Sequence, residues 1–180
     1  MGDFVLTPME VDPVVRRLLK GGMRVTALHN HLNGETPRLM FLHYDGKGLP
    51  SDMAVTLREA LALTSSPRYE TSQELVQDIE PSAPDLVLAY QQVQRILGRE
   101  GKTVRRVLQV AFPRSEPIRC ENMDLPPAMG TATQLSFQPT KAGLATTGDF
   151  VLTDDELQPV LQTLALGGIS VEAIHSHMTH

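Results

Sequence analysis

The chain reads as an α+β protein, with antiparallel sheets and packed amphipathic helices built from a tandem repeat of which one copy is incomplete. Three observations carry that reading. Residues 2–32 and 148–178 align without a gap at an offset of 146 residues, with 16 of 31 positions identical, the mark of a duplicated structural unit. Each copy runs from a strand-like GDFVL through apolar residues at helical spacing into an alternating stretch that ends in His-x-His. Between the copies, short apolar runs are separated by Pro and Gly, the punctuation of antiparallel strands.

Asp3 to Leu6 is expected to be a short strand. Thr7-Pro8-Met9-Glu10 has the Thr-x-x-Glu form of a capping box with proline at the first helical position, and Thr153 and Glu156 repeat it. Val11, Val14, Val15, Leu18 and Leu19 follow at amphipathic-helix spacing, matched by Leu157, Val160, Leu161, Leu164 and Ala165. Gly21-Gly22 and Gly167-Gly168 stop the two helices. Pro13 and Pro159 fall inside them and are expected to divide a capping turn from the helix proper.

Met23 to Leu32 then alternates. Met23, Val25, Ala27, His29 and His31 share one face, as do Ile169, Val171, Ala173, His175 and His177 in the second copy, so the histidines continue the apolar face. Asn33-Gly34 signals a turn, and Arg38 to Tyr44 reads as a return strand pairing antiparallel with the first. Ser51-Asp52 caps a helix through Leu63 in which Val55, Leu57, Ala60, Leu61 and Leu63 are apolar. Another helix spans residues 85–97 and ends at Gly98. Strands follow at VRRVLQVAF, PIRCENM, TQLSFQP and GLATTGDFVL. Phe4 and its counterpart Phe150 are expected in the core.

The repeat places residues 1–66 as the end of one unit, 67–84 as a polar, Pro-bounded linker, and 85–180 as a second unit truncated after its His-x-His strand. The second unit lacks a counterpart of residues 33–63. Those residues could serve either copy within one chain, or be exchanged between two chains to give a homodimer.

Composition narrows the partners. A net charge of −5 with 41% hydrophobic and 21% charged residues gives no basic face for nucleic acid or an anionic membrane. Arg105, Arg106 and Arg114 flank RVLQVAF as a solvated strand edge. The lone Cys120 excludes an internal disulfide framework and a Cys-rich zinc site. No apolar run reaches membrane-spanning length and no signal sequence opens the chain, so the sequence as written reads as cytoplasmic while the localisation of the protein stays open.

The chemistry concentrates in the histidines. His29 and His31, two apart on a strand, project side by side roughly 6–7 Å apart at the backbone. His43 joins them if Leu39, Phe41 and His43 use the same face. His29, His31 and His43 with Glu35, as ligand or general base, or with water, suit Zn, Fe, Mn or Ni. Arg38 is a candidate contact for an anionic group. A single histidine pair is as well explained by hydrogen bonds lining a polar cavity. Both imidazoles recur in the second copy while the neighbours Thr26/Glu172 and Asn30/Ser176 differ, which favours a ligand role. Asp3 and Asp149 read as backbone-bonding residues. Three readings result: a divalent-metal domain with hydrolase or oxygenase chemistry, a non-catalytic small-molecule module, or a structural polar cluster.

From GDFVLT through VTALHNHL, PRLMFLH, DGKG and LREALALTSSP, the chain resembles the LppY/LpqO family of bacterial lipoprotein-related proteins, a domain of unknown function. The resemblance covers residues 2–67 and, more weakly, 85–178, where LGREGK, AFPR, PPAMG and GDFVLT occur in order. It implies a two-copy, often exported protein with no established activity. The opening of the first unit and the second return strand of that pattern do not occur in this chain. Cupins also use a His-x-His-x3-Glu spacing that His29, His31 and Glu35 fit, but there no capped helix and Gly-Gly precede the strand. An amidohydrolase barrel of about 250 residues does not fit 180.

Overall fold

A computed structural model describes residues 2–66, 84–120 and 122–176. The chain runs β1 (Gly2–Leu6), α1 (Pro8–Lys20), β2 (Arg24–His29), β3 (Met40–Asp45), α2 (Pro50–Leu61) and α3 (Pro84–Leu97). It continues as β4 (Lys102–Val104), β5 (Val107–Pro113), β6 (Arg119–Cys120), β7 (Met123–Asp124), β8 (Ala132–Thr140), β9 (Gly143–Asp149) and α4 (Asp154–Leu166). Every strand pairing is antiparallel, so the α+β architecture stands. Among the described residues no helix is long and apolar enough to cross a membrane. Residues 67–83, nearly all of the expected linker, and His177 lie outside the described residues.

Two compact units form, residues 1–68 with 153–180, and residues 69–152. This grouping differs from the repeat boundary, because α4 and the segment after it join the first copy.

In the first unit the sheet order is β1-β3-β2. Its apolar face follows from the register, since residues directly opposite one another share a face. Phe4 faces Leu42, Leu6 faces Met40, and Val25 faces Tyr44. Phe4, Leu6 and Leu42 pack with Val14 and Leu18 of α1, Ala60 of α2, and Met23. Burying each large side chain of this set contributes roughly 1.5–3 kcal/mol, and that holds both helices on one side of the sheet.

The histidines do not continue this face. Val25 pairs with Tyr44 but Ala27 pairs with His43, so Thr26 is an extra residue, a β-bulge. The alternation therefore reverses at Thr26. Met23 and Val25 face the helices, while Ala27 and His29 face the other side together with Asp3, Phe41 and His43. Strict period-two reading could not show this, because a bulge carries no obligatory sequence signal.

Other expectations need correction. α1 and α4 run unbroken through Pro13 and Pro159. Pro13 lies early in α1 and removes only the hydrogen bond to the carbonyl of Met9, a first-turn residue that is itself exposed. Both capping boxes form, with Glu10 Oε2 accepting from Thr7 N–H at 2.7 Å and Glu156 Oε2 from Thr153 N–H at 2.9 Å. α2 starts at Pro50 and turns Met53, Thr56, Leu57 and Ala60 inward, leaving Val55, Leu61 and Leu63 exposed. The residues after α4, through Ser176, form no strand, although their counterparts form β2. Among the described residues no segment pairs with them as β3 pairs with β2. Phe150 is 42% exposed, whereas its counterpart Phe4 is buried, so the core expectation holds for Phe4 alone.

The second unit packs α3 on the sheet β4-β5-β8-β9 through Leu86, Tyr90, Leu108 and Val110. The Tyr90 hydroxyl donates to the carbonyls of Arg106 and Phe137, at 2.5 and 3.1 Å. Its burial pushes the phenol pKa up. VRRV is not one strand: Val104 pairs with Val107 across a two-residue turn in which Arg105 and Arg106 have φ of 47° and 68°.

Candidate metal centre

The reversed face of β2 and β3 collects the imidazoles. His29 ends β2 opposite Phe41, and His43 sits two residues further along β3 opposite Ala27 and Asp3. His31 lies just beyond β2, yet its ring still stacks on Phe41 at 3.7 Å and lies 5.0 Å from that of His29. His175, from the segment after α4, stacks on His29 at 3.7 Å and lies 4.9 Å from His43. One nitrogen from each of His29, His31, His43 and His175 falls within 4.8 Å of the others.

Hydrogen bonding engages the Nδ1 side of two of the rings. His29 Nδ1 lies 3.1 Å from the carbonyl of Asn30, which can only accept, so Nδ1 carries the proton. His43, only 2% exposed, directs Nδ1 at the Asp3 carboxylate, which likewise accepts. In the neutral tautomers with the proton on Nδ1, each ring turns an Nε2 lone pair toward the other. The two Nε2 atoms face each other at 2.7 Å. Two lone pairs at that distance repel unless a cation, a proton or a metal ion, holds them together.

Asp3, expected to bond the backbone, instead turns its carboxylate to His43 Nδ1. A carboxylate in that place is, in general, the outer partner that orients a histidine able to hold a metal. The position of Asp3 opposite His43 follows from the β1–β3 register, which local sequence does not contain. The same carboxylate, after burial itself, helps push the Tyr44 pKa up.

Glu35 and Arg38 occupy the loop rather than the imidazole cluster. Glu35 Oε1 accepts from Leu39 N–H at 3.0 Å, and Arg38 Nη1 reaches Glu35 Oε2 at 3.4 Å and the Leu32 carbonyl at 3.2 Å. The Leu39 N–H, then the residue's own backbone N–H and after it Arg38, hold the Glu35 pKa below the usual carboxylate range. Glu35 thus stays ionised and ties the loop to the start of the return strand. His175 is the one second-copy equivalent brought to the site among the described residues.

A β2 strand in a three-stranded sheet with helices on one face is not the double-sheet jelly roll of a cupin. No curated protein and no solved structure matches the chain. The elements that build the imidazole face, β1 to β3 and the His175 segment, all fall within residues 1–63 and 91–180, which match the model of one family. The chain therefore belongs to the family described as Domain of Unknown Function (DUF1259).

Proposed function

We propose that this protein binds a divalent metal ion on its sheet through His29, His31 and His43, with Asp3 orienting His43. The observation that carries the reading is the approach of two lone-pair nitrogens, His29 Nε2 and His43 Nε2, to 2.7 Å, with both Nδ1 protons already engaged. With both protons on Nδ1, an ion would supply the positive charge between the two lone pairs. A donor set made of imidazoles, with Glu35 bound into its loop, favours Zn, Ni or Fe over Mn, which prefers carboxylate oxygen. Three protein nitrogens leave a position for water, whose pKa such an ion lowers, and this is the chemistry a hydrolase or a small-molecule site would use.

A second reading rests on the same distance. Two nitrogens on one zinc sit roughly 3.4 Å apart in a tetrahedron, whereas 2.7 Å is a hydrogen-bond length, so a proton shared along Asp3, His43 and His29 also fits. Metal analysis of untagged protein decides between them. About one equivalent of metal, lost in His29→Ala and in His43→Ala, supports the metal centre. Protein that stays metal-free after incubation with Zn2+, Ni2+ and Fe2+ leaves the proton-sharing pocket.

A further inference from the structure

We infer that His175 is a displaceable fourth ligand, so that metal binding fastens the segment after α4 onto the sheet and releasing that segment opens a coordination position. This rests on the metal reading above. The three imidazoles of the first copy come from β2, the residues just after it, and β3, all part of one antiparallel ladder. His175 comes from more than a hundred residues further along the chain and from a stretch with no strand or helix of its own. Even so, its ring lies flat against that of His29, at 3.7 Å and 27°.

The His175 ring stacks on that of His29 and lies 4.9 Å from that of His43, and the Asn33 side chain donates a hydrogen bond to the Glu172 carboxylate. Three of the segment's apolar residues, Ile169, Val171 and Ile174, remain exposed, so little burial anchors it. A metal–nitrogen bond is the strongest attachment such a segment could have. Four imidazoles close a tetrahedral ion, whereas three leave it open to an exogenous ligand. The segment therefore decides whether the ion is shielded or reactive.

The test uses the full chain and three variants, H29A, H175A and E172A, each checked for native secondary structure by circular dichroism. Zn2+ affinity is measured by chelator competition, and Co2+ replaces Zn2+ as a visible reporter, with azide as the exogenous ligand. The native chain is expected to give a Co2+ spectrum that azide does not alter. H175A is expected to bind Zn2+ ~10-fold or more weakly and to give a Co2+ spectrum that azide changes. Amide exchange in residues 169–176 is expected to slow on adding Zn2+ in the native chain and not in H175A. E172A, which loosens the segment without touching a ligand, is expected to become partly azide-sensitive. If H175A matches the native chain in affinity and azide response while H29A has lost the ion, the inference fails and the three-histidine site stands. If the native chain takes up no metal, both fail.

Discussion

Asp3 makes the sharpest residue-scale statement about the site. Its carboxylate holds the Nδ1 proton of His43, so Asp3→Asn keeps the shape while removing the charge behind the ligand. Zn2+ affinity is expected to fall ~10–100-fold, read by chelator competition, with the melting temperature of the metal-free protein nearly unchanged. Thr26 makes the opposite case. Among the described residues its buried hydroxyl has no hydrogen-bond partner, a consequence of its place at the bulge. Thr26→Val keeps the branched shape and removes the unpaired group, so urea unfolding is expected to show a gain of up to about 1 kcal/mol with Zn2+ binding intact. Glu10 carries an acid-sensitive contribution. The Thr7 N–H, with help from Ser65, lowers its pKa from 4.5 to about 2. Its stabilisation is therefore complete above about pH 4.5 and is lost as pH falls toward 2. Glu10→Gln is expected to cost about 1 kcal/mol at pH 7, limited by solvent screening, and to flatten the stability profile across that interval.

Among the elements, the turn between β4 and β5 stands out for its composition. Both central residues have positive φ, the geometry of a turn that favours Asn-Gly, and here they are arginines. Replacing Arg105-Arg106 with Asn-Gly is expected to raise the stability of that unit by about 1 kcal/mol, read as a higher melting temperature. Because arginine is no turn signal, this hairpin was hidden inside what reads as one strand. The capping boxes, the helical stripes of α1 and α4 and the return strand were legible, since each is written in local spacing. The convergence of His29, His31 and His43 was legible too, although for an incomplete reason. The alternation placed the histidines on the helix-packed face, and only the bulge at Thr26 turns them away from it. Asp3 and His175 were not legible as partners of the site, because strand register and long-range docking decide them. The close packing of α1 on α2 was equally silent: a Cβ on Gly21 would overlap the Thr56 side chain. Gly21→Ala is expected to cost about 1–3 kcal/mol in chemical denaturation.

At the scale of the molecule, the candidate ligands sit on separate elements that meet only in the folded unit. On the proposed metal reading, binding the ion is therefore thermodynamically linked to folding. Zn2+ at a hundredfold excess over its Kd adds about 2.7 kcal/mol, so the transition of the unit containing β1 to β3 is expected to rise by about 10–20 °C. EDTA should reverse the shift, and H29A should not show it. The bulge at Thr26 has a consequence for how this sheet tolerates change. Apolar substitutions on the helix side and polar ones on the imidazole side can accumulate independently, because the two surfaces share no side chains. Chain length between Val25 and Ala27 can change by the single residue Thr26: without it Val25 stays opposite Tyr44 and Ala27 opposite His43 as consecutive pairs, so the ladder becomes regular and both faces keep their residues. What the sheet does not tolerate is a Thr26 that stays while the bulge closes, which would turn Ala27 and His29 toward Val14 and Leu18 or drive Met23 and Val25 into water.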